Sequence, residues 1–237
     1  MLFCLKEESC MKERLRIELT RFERGLWLGS VIVVAGTFIA FQSGDWLSLA
    51  ASLIGVTALI FVAKGHVLGQ LLTIVFAVFY GVISWGFRYY GEMITYLGMT
   101  APMALLALIT WLRNPYKNSA EVTVRRLDGK QWAVLLLLAA LTTEAFYFIL
   151  RAMGNAALAV STLSVTTSFL ASALTAMRSP YYALSYAAND LVLIVLWVIA
   201  ALADASGVPM AACFAMFFLN DMYGFINWRR MEKRQRA

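Results

Sequence analysis

Long apolar runs separated by short polar breaks divide the chain from near residue 25 to near residue 228. Eight runs stand out, at about 25–42, 46–63, 67–87, 91–112, 131–150, 156–177, 181–204 and 208–228. A helix needs roughly 20 apolar residues to cross the hydrocarbon of a bilayer, and each run is close to that length. Backbone polar groups in lipid must bond within their own segment, and the dyad alternation of a barrel strand is missing, so the runs predict helices. The expected fold class is an all-α integral membrane protein with eight transmembrane helices.

The breaks organise the chain. Residues 1–24 place Met11, Leu15, Leu19 and Phe22 at spacings of three to four among charges, which predicts an amphipathic segment on the cytoplasmic surface. Charge is too dense there for a secretory signal, so the N-terminus is expected to be retained, with Met1 or Met11 as the start. Residues 25–42 form an extra transmembrane helix and 46–112 a first group of three helices. Residues 113–130, with Asn114-Pro115, Ser119 and five basic residues, form one long cytoplasmic loop. A linker helix (131–150), a second triple-helix group (156–228) and a basic tail (229–237) follow.

The two triplets read as copies. Lys64-Gly65 and Arg178-Ser179 end the first helix of each; Trp85 and Trp197 fall at similar places in the second; ITWLRN, ending at Asn114, resembles FINWRR, ending at Arg230. Three helices plus the linker make four crossings, so both triplets enter the membrane in the same direction. A parallel 3+1+3 repeat, preceded by one extra helix, is the expected plan, with substrate bound between the halves near the midplane.

Composition agrees: 61% of the 237 residues are hydrophobic and 14% are charged, which excludes an ordinary soluble domain. The net charge of +6 does not point to nucleic acid, because the basic residues lie in the terminal segments and the breaks. Of the twenty Lys and Arg, only Arg88 and Arg151 fall in outer loops if both termini are cytoplasmic, leaving eighteen inside. A shift of one span would scatter them. The expected location is the cell (inner) membrane, multi-pass. Cys4, Cys10 and Cys213 lack disulfide or metal-ligand spacing, and phosphate loops, HExxH and GxSxG are absent, so no cofactor, metal or catalytic residue is expected.

Charge at bilayer depth is costly and marks function by default. Asp190 lies near the middle of helix seven, Asp221 a little inside the middle of helix eight, Glu144 on the linker and Glu92 near the outer end of helix four. Asn189 and Asn220 precede the two aspartates. Tyr186 and Asn189 are three apart on one face, Asn220, Tyr223 and Asn227 on another, and Asp190 and Trp197 on a third. An amide, phenol, indole and carboxylate lining suits a planar, hydroxyl-bearing solute with a positive ring. The competing reading is that Asn and Asp act as glue between helices. Glu144 fits a structural or interface role; His66 is expected to be a solvated turn residue; Trp27, Trp111, Trp132 and Trp228 are expected as interfacial anchors.

The run GDWLSLAASLIGVTALIFVAKG, then Tyr80, YYGEM from Tyr89, TWLRN from Thr110 and LNDMYGFINWRR from Leu219 together resemble the PnuC family of nicotinamide riboside transporters, from about Gly44 to Arg230. The resemblance implies a homotrimer of SWEET-like protomers. These would pass unphosphorylated nicotinamide riboside by facilitated diffusion, and a separate cytoplasmic kinase would trap it. Where the family's helix-seven signature has two tryptophans and an asparagine, this chain has Ala183, Tyr186 and Asn189. Ser172 stands at the family's glutamine in helix six. The helix-eight motif is kept as Asn220, Tyr223, Gly224, Asn227 and Trp228. Helical spacing and this resemblance together give the expected substrate-contacting set: Tyr186, Asn189, Asp190, Asn220, Tyr223, Asn227, Tyr80, Ser172 and Trp197.

The leading expectation is thus a facilitative vitamin or nucleoside transporter, nicotinamide riboside by default. Thiamine, riboflavin or another nucleoside is the runner-up within the same family. An integral membrane enzyme acting on a lipid is the alternative of another class, and Asp190 and Asp221 lack the DxxxD-like spacing it would need.

Overall fold

The computed structural model describes residues 18–41, 45–117 and 119–237. The expectations for Cys4, Cys10, Met11 and Leu15 lie outside the described residues. Among those described, eight helices are long and apolar enough to cross a membrane. We number them α1 (Arg21–Ala40), α2 (Trp46–Ala63), α3 (Val67–Gly86), α4 (Tyr90–Arg113), α5 (Gly129–Ala152), α6 (Leu158–Ala176), α7 (Tyr181–Ala203) and α8 (Val208–Arg236).

The ends follow from local chemistry. α1 starts at Arg21 rather than 25 because Thr20 and Glu23 form a capping box: Glu23 N–H donates to Thr20 Oγ1 (3.2 Å) and Thr20 N–H donates to Glu23 Oε2 (2.6 Å). Asp45 caps α2, and Asp128 with Gln131 caps α5 in the same reciprocal way. Between α7 and α8, Asp204 accepts from the hydroxyl and the N–H of Ser206, which holds its carboxyl below the usual carboxylate range. α8 continues to Arg236, well past the apolar run. Its polar end is anchored to the 114–128 loop, where Gln235 Oε1 accepts from Val124 N–H at 2.7 Å and Glu232 pairs with Arg126. Pro102 follows a π-helical turn at Tyr96–Thr100 that interrupts α4.

The packing order is a closed ring. α2 packs on α3, α3 on α4, α4 on α6, α6 on α7, α7 on α8, and α8 back on α2. α1 lies outside this ring against α2 and α8, and α5 lies outside it against α6. Ordinary apolar packing closes the wall, and glycines sit at tight points in it: a Cβ would lie 2.2 Å from the Phe217 ring at Gly55, 2.5 Å from the Val62 nitrogen at Gly69 and 2.6 Å from the Leu97 side chain at Gly81.

One end of the ring is heavily braced. Helices α2 and α6 finish in the same left-handed turn, with Gly65 at φ +66° and Arg178 at φ +59°. The 114–128 loop ties the two turns together: Val122 N–H donates to Gly65 C=O (3.0 Å) and Arg125 N–H donates to Arg178 C=O (2.9 Å). Trp111, at the end of α4, donates to the Thr175 carbonyl of α6 (3.1 Å); Trp228, in α8, donates to the Val62 carbonyl of α2 (2.9 Å). Their rings meet with centroids 5.4 Å apart. These two tryptophans are therefore fully buried crossbraces, not interfacial anchors. His66 is likewise buried, pairing with Glu121 in a β-bridge and accepting from Leu68 N–H, because the loop folds over it.

Candidate functional site

All six ring helices contribute to one central cavity of about 40 Å³. α2 brings Gly55, Ala58, Leu59 and Val62; α3 brings Gln70, Thr73 and Phe76; α4 brings Tyr96 and Thr100 from the π-turn. α6 adds Thr175, α7 adds Tyr186 and Asp190, and α8 adds Phe217 and Asp221. The widened turn in α4 has a consequence here, since a π-turn re-aims side chains relative to a regular helix and is frequent at functional sites.

Three lining side chains carry buried atoms with no hydrogen-bond partner: Gln70 Nε2, Thr100 Oγ1 and Asp190 Oδ2. A buried donor or acceptor left unsatisfied costs about 1–3 kcal/mol, so three such groups around one void form a surface that gains when a polar solute enters. The carboxyls of Asp190 and Asp221 lie within hydrogen-bonding reach of each other, on neighbouring helices. The rings of Phe76, Tyr96, Tyr186 and Phe217 supply flat apolar walls, and among the described lining residues there is no Lys, Arg or His.

The structure distributes the residues singled out in the sequence over several places. Tyr186 and Asp190 line the cavity, together with Asp221. Asn189 is one residue from Asp190, about 100° round the helix, and faces α6 instead. There its Oδ1 lies 2.7 Å from Thr167 Oγ1, 3.0 Å from Ser168 Oγ and 3.2 Å from Ser164 Oγ. Ser164 Oγ also lies 3.0 Å from Glu92 Oε2, so Glu92 is fully buried in this α4–α6–α7 seam. Asn220 turns toward α1, donating to Ser30 Oγ (2.9 Å) and to the Met216 carbonyl. Tyr223 donates to Glu23 Oε1 of α1 at 2.7 Å, and Glu23 also pairs with Lys64 at 3.1 Å. Asn227 donates to the Ala63 carbonyl at the end of α2 (2.8 Å). Trp197 donates to Tyr80 Oη (2.9 Å) within an aromatic cluster that includes Phe76, Tyr96 and Phe214. Ser172 is buried and donates back to the Ser168 carbonyl of its own helix. Glu144 is exposed on α5.

Sequence reasoning passed over Gly55, Gln70, Thr73, Phe76, Tyr96, Thr100, Thr175 and Phe217. Gln70 was the readable one, being a primary amide within an apolar run, a type that costs several kcal/mol in hydrocarbon unless bonded.

A sequence model of the family described as "Nicotinamide mononucleotide transporter" matches residues 45–230. The "Nicotinamide riboside transporter PnuC" of Neisseria mucosa is 24% identical over 220 residues, covering 91% of this chain and 83% of that protein. The protein of the same description from Haemophilus influenzae is 24% identical over 212 residues, covering 88% of this chain and 90% of that protein. In three dimensions the chain superposes on a solved structure titled "Crystal structure of the Vitamin B3 transporter PnuC" with a TM-score of 0.82 and 24% identity, over 96% of this chain and 98% of that one. A helical ring around a central cavity and a family match spanning all six of its helices lead to one conclusion: this multi-pass membrane protein belongs to the nicotinamide mononucleotide transporter family.

Proposed function

We propose that the chain carries nicotinamide riboside across the membrane, and that it takes the unphosphorylated riboside rather than the mononucleotide of the family description. The observation that carries this is the lining of the central cavity. A phosphate monoester holds about 1.5 to 2 negative charges near neutral pH. Asp190 and Asp221 can offer it no counter-charge, and no described lining residue is cationic. The riboside presents what the lining complements: a positive pyridinium for the aromatic walls and carboxyls, and sugar hydroxyls and an amide for Gln70 and Thr100.

The cavity is much smaller than the roughly 300 Å³ or more of a small-molecule site, so loading requires the helices to part. Two halves rocking about the midplane would do this. The halves we assign are α2–α4 and α6–α8, a parallel 3+1+3 repeat of the SWEET-like kind with α5 as linker and α1 as an addition. The reciprocal Trp111 and Trp228 bonds, each reaching the first helix of the other half, support that assignment. In this reading the braced, basic end is cytoplasmic with both termini, movement is facilitated diffusion in the cell membrane, a kinase traps the product, and three copies assemble. Residues contacting substrate are Tyr186, Asp190, Asp221, Gln70 and Thr100. Asn189, Tyr80 and Trp197 act one layer behind them. The enzyme alternative is set aside, because the family is one of transporters.

Purified protein titrated with nicotinamide riboside, nicotinamide mononucleotide, thiamine and riboflavin by thermal shift tests the reading. Stabilisation by the riboside alone is expected. A response confined to thiamine or riboflavin would reassign the substrate, and an equal response to the mononucleotide would overturn the argument from the lining.

A further inference from the structure

We propose that Asp190 and Asp221 form a single cation site at the centre of the ring, occupied in turn by the positive ring of the substrate and by a proton, so that binding a cationic substrate releases one proton. The inference rests on the substrate reading above and adds to it a charge-selecting element and a linkage to pH.

Two carboxyls within hydrogen-bonding reach, on adjacent helices and both almost wholly buried, cannot both stay ionised without a counter-charge. No described element lining the cavity supplies that charge. α4 presents the phenol of Tyr96, α7 the phenols of Tyr182 and Tyr186, and α8 the thiol of Cys213. α2, α3 and α6 present to the cavity only groups that do not titrate, such as Gly55, Gln70 and Thr175. Lys64, just past the end of α2, is engaged by Glu23 at the braced end. The pair therefore lacks a cationic partner among the described residues, and Asp190 Oδ2 lacks any partner while bordering the void.

Charge balance in hydrocarbon gives the exchange. With both carboxyls protonated the unloaded site is neutral. When the pyridinium arrives, the O–H bond of one carboxyl breaks and its proton leaves to water. The remaining proton bridges the two acids, whose single negative charge faces the ring, and the loaded site is neutral again. A charge left unbalanced at that depth is costly, so both neutral states are favoured over either alternative. Because the loaded form holds one proton fewer than the unloaded form, acid favours the unloaded form and weakens binding.

Calorimetric titration of the purified protein with nicotinamide riboside, in buffers of different ionisation enthalpy and from about pH 5.5 to pH 8, tests this directly. The expected result is a buffer-dependent heat corresponding to one released proton, with Kd weakening toward about tenfold per pH unit on the acid side. The dihydro form of the riboside, a neutral ligand of nearly the same shape, is expected to bind more weakly and to release no proton. Asp190→Asn and Asp221→Asn are expected to abolish the pH dependence and narrow the preference for the charged form. If neither variant folds, the buffer comparison on the unaltered chain decides alone. Riboside binding that is independent of pH and buffer, or equal affinity for the neutral form, would overturn the inference while leaving the substrate reading in place. No riboside binding at any pH would overturn both.

Discussion

The braced end of the ring and its centre use polar side chains in opposite ways. At the braced end Trp111, Trp228, Glu23, Lys64, Tyr223, Glu232 and Gln235 all have protein partners, which span the two triplets, the outer helix and the loop. At the centre, Gln70, Thr100 and Asp190 keep atoms with no partner beside a void. Polar groups in a membrane bundle associate helices when they find each other, and unpartnered ones that border a cavity are placed to meet a solute. The difference separates residues that hold the fold from residues that do the work of binding, although both sets are buried and polar in the sequence.

Mutations at the braced end should cost stability and spare affinity. The largest effect is expected for Trp228→Ala, which removes a buried indole, its bond to the Val62 carbonyl and its contact with Trp111. A loss of about 3–5 kcal/mol in denaturation by a harsh detergent is expected, with Kd for the riboside unchanged in the folded fraction. Asn189→Ala, in the α4–α6–α7 seam rather than at the braced end, takes an acceptor from hydroxyls of α6 and should cost about 1–3 kcal/mol in the same assay, with less than a tenfold change in Kd. Tyr223→Phe removes only the hydroxyl that reaches Glu23, for about 0.5–1.5 kcal/mol and no change in Kd. A large loss of affinity in Tyr223→Phe with no loss of stability would break the comparison.

The fold was legible because crossing the bilayer imposes a length and an apolar composition on every segment, and all eight expected runs correspond to the helices α1–α8. The ends were less legible. The capping box at Thr20 and the anchoring of the polar end of α8 by the loop depend on contacts that an apolar window does not register. In the cavity, Asp190 stood out because a charge in hydrocarbon is conspicuous on its own. Asn189 and Asn220 stood out as primary amides in apolar runs, yet each is one residue from an aspartate and so faces another helix. Gly55, Tyr96 and Thr100 belong to types common in any membrane helix. Their place at the cavity depends on the rotation of α2 and on the π-turn in α4, neither of which a helix buried in a ring displays as a polar stripe.

The account depends most on the unpartnered groups at the centre being the ones that meet substrate, and Gln70 is the cleanest case, because its Nε2 has no protein partner to lose. Calorimetric binding of nicotinamide riboside to Gln70→Ala, with its unfolding midpoint measured in parallel, tests this most directly. We predict a Kd weaker by about tenfold, the worth of one buried hydrogen bond, with the midpoint unchanged or raised. Unaltered affinity, or a fall in the midpoint with affinity retained, would contradict it.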